Sequence, residues 1–149
     1  MKRNIPVLLI FILLSACKKD IQETNDAEYY PKLVDKKWTV VADIEEDGSG
    51  QKTDVYQTWN IWDVDDYYTW YSNGQYVVND GQYLHPGSTQ QILDSGAWKL
   101  SNSVITESSL NTTGRHYPST IVTISTDTLF LKIFYDNRNV TSYVTLIPK

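Results

Sequence analysis

Few groups in this chain have types that could carry chemistry: two histidines, His85 and His116, one cysteine, Cys17, and two acidic runs. A histidine beside a serine and an aspartate could drive nucleophilic hydrolysis, but nothing here resembles the strained turn that presents such a serine. Two imidazoles with Asp80 or Asp94 could ligate a metal ion. Both histidines fall in segments read below as loops, so they are expected at the surface rather than in one site. The runs Asp43–Asp47 and Asp63–Asp66 offer carboxylates to a hard cation such as calcium, which takes about six to eight oxygens. The Asp-x-Asp-x-Asp-Gly spacing of a calcium loop is absent, as is its closing glutamate, and solvated turns explain the charges. Paired carboxylates for glycoside hydrolysis need a cleft with subsites, for which a small domain has little room. The expectation is therefore no catalytic residue, no metal ligand and no cofactor.

Cys17 closes the most informative stretch. Lys2 and Arg3 give a basic start, Ile5–Leu14 an apolar run of ten residues, and Leu14-Ser15-Ala16-Cys17 a small-residue cleavage site. A helix needs about 20 residues to cross a ~30 Å hydrocarbon core, so a permanent anchor helix is not expected. The segment resembles a bacterial lipoprotein signal with its lipobox; a plain secretory signal with an incidental cysteine is the alternative. The resemblance implies removal of residues 1–16 and lipidation of Cys17. It also implies two or three acyl chains, where one alone binds membranes only marginally. The expected address is the cell envelope, at the outer membrane, facing either the periplasm or the exterior.

Loss of residues 1–16 leaves 133 residues, and with Lys2 and Arg3 gone the net charge moves from −5 to −7. That length supports one domain with its own core. An acidic surface repels nucleic acid and anionic lipid headgroups, which are excluded as partners. With Cys17 lipidated no cysteine remains for a disulfide or a thiolate ligand, so stability must come from packing. Five Trp and eleven Tyr stand against three Phe. Such rings combine an apolar face with a polar edge and suit both half-buried strands and recognition surfaces.

Residues 17–35 are polar with little periodicity and read as a tether after the lipidated cysteine; a short helix around Gln22–Tyr30 is the alternative. From residue 36 to 149 the hydrophobic period is two rather than 3.6, and turn residues recur. Trp38–Ala42 starts a strand, the acidic 45–50 segment turns it, and Asp54–Trp62 returns. Tyr67–Tyr71 and Gln75–Asn79 flank Ser72-Asn73-Gly74, a strong hairpin signal because Asn and Gly accept positive φ. Residues 80–93 read as a long loop. Gly96–Leu100, Val104–Ser108, Thr120–Ser125, Leu129–Tyr135 and Thr141–Ile147 follow as strands. Alternation turns Trp38 and Val40, Trp98 and Leu100, Val122 and Ile124, and Leu129, Leu131 and Ile133 inward, with Tyr68, Trp70, Tyr76 and Val78. The prediction is an all-β antiparallel meander of eight or nine strands closed into a small barrel, with a two-sheet β-sandwich as the alternative. So many large inward side chains predict a filled interior. Asn111-Thr112-Thr113 and Asn139-Val140-Thr141 match the glycosylation pattern and are read as coincidences.

Four pieces of the chain resemble the lipocalin-like domains of bacterial lipoproteins. They are Lys37-Trp38-Thr39-Val40; Trp70-Tyr71-Ser72-Asn73-Gly74-Gln75-Tyr76; Gly96-Ala97-Trp98-Lys99-Leu100 with Val104-Ile105; and Ile124–Leu131. The likeness spans residues 36–147 and departs from the pattern at Lys36, where a glycine is usual. It implies the calycin-type barrel and a non-enzymatic protein, and it names no ligand. Trp59, Trp62, Tyr68, Trp70, Tyr76 and Trp98 are the candidate binding residues. Trp59, Trp62, Tyr67, Trp70 and Tyr71 form an expected aromatic mouth around Asp63–Asp66. The expected ligand is a small apolar or amphiphilic molecule or a glycan. A structural module that meets another envelope protein through a filled barrel is the second reading.

Overall fold

The structure is a computed structural model that describes residues 25–87, 89, 91–110 and 116–149. Cys17 with the segment before it, and the tripeptide at 111–113, lie outside the described residues. The elements are α1 (Asp26–Leu33), β1 (Trp38–Glu46), β2 (Lys52–Asp54), a 3-10 turn (Tyr56–Thr58), β3 (Tyr67–Trp70), β4 (Gln75–Asn79) and β5 (Ile92–Ser101). Then come β6 (Val104–Ser109), β7 (Ser119–Ile124), β8 (Leu129–Tyr135) and β9 (Val140–Pro148). All neighbours pair antiparallel, in the order β2-β1-β3-β4-β5-β6-β7-β8-β9, and β9 returns to β1. That return runs from Trp38↔Pro148 to Glu46↔Thr141. Eight strands therefore close into a barrel, and β2 lies as a ninth against the end of β1, from Ile44↔Asp54 to Glu46↔Lys52. A barrel forms because joining first strand to last removes the long unpaired edges that an open meander would expose.

Two seams are thin. β1 and β3 meet at the pair Trp38↔Tyr68, and β6 and β7 at Val104↔Thr120 and Ile105↔Ser119. The expected return strand over Asp54–Trp62 does not form. Only Lys52–Asp54 is extended, and the 3-10 turn and the bends after it fill the gap beside β1. Val55 N–H on the Asp43 carbonyl (3.0 Å) is the last rung of the β1–β2 ladder; the backbone then turns, with Thr58 N–H on the Val55 carbonyl (3.0 Å).

Part of the stretch read as a tether belongs to the fold. Residues 26–33 are helical, although eight residues with an internal proline, Pro31, would be marginal alone. Tertiary partners supply what the local sequence lacks. Leu33 is fully buried, and its carbonyl accepts the Trp38 indole N–H (2.9 Å). The Tyr30 ring stacks on Trp98 at 5.9 Å, and its hydroxyl donates to the Ser72 carbonyl (2.9 Å). Asp26 accepts the backbone N–H groups of Asn102 (2.8 Å) and Ser103 (2.7 Å). Those two residues have φ of 52° and 62°, the two-residue hairpin geometry that suits the strand twist. Asp26 thus stabilises a turn that serine does not favour. The helix plugs the barrel end where the β3–β4, β5–β6 and β7–β8 hairpins gather.

The Asn-Gly hairpin forms in a different geometry from the one expected. Only Gly74 takes a positive φ (84°), while Asn73 Oδ1 accepts the Gln75 N–H (3.0 Å). Trp70 pairs with Tyr76, Tyr71 N–H donates to the Gln75 carbonyl (2.7 Å) and Gly74 N–H to the Tyr71 carbonyl (3.0 Å). This is a three-residue loop whose last residue must be left-handed.

Inward alternation holds for Trp38, Val40, Trp98, Leu129 and Leu131, all buried. It fails at Val122. The β7–β8 register shifts between Ile121 and Thr123, so Ile121 and Ile124 are buried and Val122 is 47% exposed. An extra residue in one strand reverses the facing of those beyond it. Ile121→Ala should therefore lower stability by about 2–5 kcal/mol. Val122→Ala should stay within roughly 0.5 kcal/mol of wild type. Urea unfolding midpoints of the two variants check this; equal losses would place both side chains in the core.

Candidate functional site

The barrel is hollow. A cavity of about 500 Å³ lies inside it, with Val40, Val78, Leu131, Ile133, Val144 and Leu146 forming its apolar wall. The expected filling fails because the large inward rings are unevenly placed. Trp38 and Trp98 turn their indole N–H groups to the Leu33 and Tyr71 carbonyls at the plugged end, and neither they nor Tyr76 are among the residues lining the cavity. Trp59, Tyr68 and Trp70 line the cavity, and the Tyr68 and Trp70 rings stack at 6.0 Å. A recess of about 230 Å³ shares Val40, Trp59 and Tyr68 with it and leads to Asp63 and Asp66. It lies at the thin β1–β3 seam.

Among the described residues, three carboxylates and an imidazole also line the cavity, Asp43, Asp94, Glu107 and His116, together with Ser119 and the hydroxyl-bearing Tyr117 and Tyr135. Asp94 follows from the period of β5, two and four residues before Gly96 and Trp98. It accepts the hydroxyls of Tyr76 (2.6 Å) and Ser109 and the N–H of Ser95 (2.8 Å). Burial pushes its carboxyl up, but the Ser109 and Tyr76 hydroxyls together with the Ser95 amide outweigh it, and Asp94 sits below the usual range. Glu107 accepts the Trp70 indole N–H (2.7 Å). Burial nevertheless holds Glu107 above the ordinary glutamate value, against that bond and the nearby His116. His116 lies between the two acids, Nε2 3.5 Å from Asp94 and Nδ1 3.5 Å from Glu107. It is a cavity residue, not the surface loop residue expected.

Asp43 arrives by another route. A register shift between Val40 and Ala42 makes Val41 the extra residue of β1. Without it, the alternation set by Trp38 and Val40 would turn Asp43 outward. Instead Asp43 is 7% exposed and accepts the hydroxyl of Ser142, itself fully buried. Burial, the largest effect, raises the Asp43 carboxyl above its ordinary value despite that hydrogen bond.

The second constellation lies in the loops at the barrel end opposite α1. His85 Nδ1 is 2.8 Å from Asp80, and Nε2 is 2.8 Å from Asp63. Asp80 also accepts the His85 backbone N–H (2.9 Å). Asp65 accepts the N–H groups of Gln82 and Tyr83, and Asp66 that of Gly81. The acidic run is therefore a latch binding residues 80–85 to residues 60–66, not a set of solvated turn charges. Asp63, Asp66 and His85 place donor atoms within 4.8 Å of one another, but Nε2 already faces Asp63 and would have to leave it to bind a cation. Asp66 is pushed up to about 6 by burial.

Among the candidates named from sequence, Trp59, Tyr68 and Trp70 line the cavity. Trp62 lies instead beside His85, rings 6.5 Å apart. Tyr76 touches the site through Asp94. Trp98 packs under α1, its N–H on the Tyr71 carbonyl (2.9 Å). Tyr71 is thus at the plugged end, so the expected aromatic mouth does not form as one patch. Glu107 was legible by extending the period from Ile105, and Asp94 from Trp98. Asp43 was hidden by the bulge, and His116 by its irregular segment.

Eight antiparallel strands in chain order, closed around one cavity, define the lipocalin-like class of barrel. No protein-family model and no curated protein matches the chain. Among solved structures it is similar to a lipocalin-like protein from Bacteroides uniformis, at 14% identity, covering 76% of this chain and 96% of that one with a TM-score of 0.46. The fold assignment rests on the strand pairing itself.

The latch has a pH signature. Asp80 and Asp63, chiefly by hydrogen bonding, raise the His85 pKa above its ordinary 6.5. A raised histidine contributes stability that is complete below the unfolded value and fades as pH rises through the folded one. The unfolding midpoints of wild type and His85→Ala should therefore differ more at pH 5.5 than at pH 8.5. A gap independent of pH would show that no charged imidazole is held there.

Proposed function

We propose that this protein is a non-catalytic envelope lipoprotein that holds one small amphiphilic molecule inside its barrel. The observation that carries the reading is the cavity: about 500 Å³, within the ~300–1,000 Å³ typical of ligand sites, with an apolar and aromatic wall and a few convergent polar groups. A glycan would need hydrogen-bond partners around its whole surface, whereas the side of the cavity formed by Val40, Val78, Leu131, Ile133, Val144 and Leu146 offers no side-chain partner. Binding is favoured over catalysis because the cavity imidazole, His116, faces two carboxylates. No serine, threonine or cysteine is hydrogen-bonded to it among the described residues.

Attachment through lipid on Cys17 completes the proposal. The described chain begins at the plugged end with Asn25, eight residues after Cys17, a span of at most ~28 Å. An anchored barrel would then hang with α1 toward the bilayer and its loop end away from it, toward its ligand. The outer membrane is the proposed site.

Two measurements test this. Tryptophan fluorescence of the purified protein should saturate at one octanol per chain. Val78→Trp, which places an indole in the cavity at an overpacking cost of about 1–3 kcal/mol, should weaken that binding at least tenfold while circular dichroism stays that of a β-barrel. Unchanged binding in the variant would put octanol outside the barrel. Mass spectrometry of the envelope-extracted protein should find acylated Cys17, and a free thiol there would remove the anchor.

A further inference from the structure

The cavity contains a carboxylate that the fold went out of its way to aim inward. Val41 interrupts the longest closing ladder of the barrel, and the result is Asp43 inside rather than outside. Bulges beside sites often serve to re-aim a side chain. One Asp43 oxygen accepts the Ser142 hydroxyl; the other has no hydrogen-bond partner among the described residues. The side chain is more than nine-tenths buried and lines the cavity.

Among the described residues, positive charge facing the cavity is scarce: three carboxylates, Asp43, Asp94 and Glu107, line it with a single imidazole and no lysine or arginine. His116 already lies between Asp94 and Glu107. Arg138 lowers the Asp43 carboxyl through its charge but is engaged at the rim. It pairs with Glu45 at 2.9 Å and sits 4.5 Å over the Tyr135 ring. Burial raises both Asp43 and Glu107 above their ordinary values, outweighing the Ser142 hydroxyl and the charge of Arg138 at the first and the Trp70 indole and His116 at the second. The stacked rings of Tyr68 and Trp70, with Trp59, present aromatic faces to the same space. Aromatic faces and a carboxylate together favour an ammonium group.

We propose that the molecule held in this cavity is a cationic amphiphile, an alkyl or aryl amine whose ammonium head is bound by Asp43 and whose apolar body lies against the aliphatic wall. This rests on the reading of the cavity as a ligand site and adds the sign of the head group.

Calorimetric titration of the purified protein with octylamine, octanol and octanoate, at pH 7 and physiological salt, separates the two claims. Octylamine, charged at this pH, should bind at least tenfold more tightly than octanol, and octanoate most weakly. Asp43→Asn, which keeps an acceptor for Ser142, should bring octylamine to the affinity of octanol and leave octanol unchanged. Octanol binding as tightly as octylamine would overturn the amine assignment and leave the cavity site standing. A preference for octylamine that survives Asp43→Asn would overturn the role of Asp43. Binding of none of the three would overturn the cavity reading and this inference with it. Should the variant fail to fold, the wild-type ranking still decides the head group. The carboxyl-carbon resonance of Asp43, displaced by octylamine and not by octanol, then decides the residue; an unmoved resonance would rule Asp43 out.

Discussion

Pairing of the first strand with the last is the constraint on which everything else depends. A meander of short strands has two free edges, and each exposes a row of unpaired N–H and C=O groups. Here β1 and β9 satisfy one another from Trp38↔Pro148 to Glu46↔Thr141. Closure also fixes the inside. With eight strands, the enclosed space is just wide enough to be filled by side chains or to hold one small ligand. Which outcome results depends on where the large residues fall. In this chain Trp38 and Trp98 are held at the helical plug by the Leu33 and Tyr71 carbonyls, and the interior beyond them stays open.

The same closing ladder carries the irregularity that gives the cavity its character. A regular β1 would have buried Ala42 and Ile44 opposite β9 and left Asp43 in water. The extra residue, Val41, reverses that facing and puts a carboxylate into an apolar space. Burying an acid without a cation is unfavourable, and stability alone offers no reason to keep the arrangement. Asp94 shows how the chain treats a buried acid when structure is the aim. It is surrounded by donors from Tyr76, Ser95 and Ser109, and its carboxyl settles below the usual range. Asp43 receives one hydroxyl and rises. The two aspartates shift in opposite directions because one is met by three donors and the other by one.

Much of the architecture was legible in the residues, and the misses share one physical cause. Period-two alternation and turn residues, both local properties of the chain, located every strand but the one expected over Asp54–Trp62, and closure followed from the need to pair the free edges of the meander. Leu129, Leu131 and Ile133 faced inward as alternation required. Val122 and Asp43 did not follow it, since a bulge is a decision of the strand pair rather than of the single strand. α1 was legible only as the alternative, over Gln22–Tyr30, for the same reason: its eight residues are held by Trp38, Trp98 and the Asn102-Ser103 turn, none of which lies within helical reach in sequence. The His85 latch depends on loops brought together only by the closed sheet. Tyr68 and Trp70 were found because rings of that size on inward strand positions must meet the interior, and Trp59 as one ring of the expected aromatic mouth.

The account stands or falls on the Asp43 carboxyl being inside a hollow barrel. Its carboxyl-carbon resonance, followed by NMR as the pH of the ligand-free protein is raised, reports that directly. A midpoint above the ordinary aspartate value, 3.8, is the predicted result. A midpoint at or below that value would mean a carboxylate in water or fully paired, and would contradict the account.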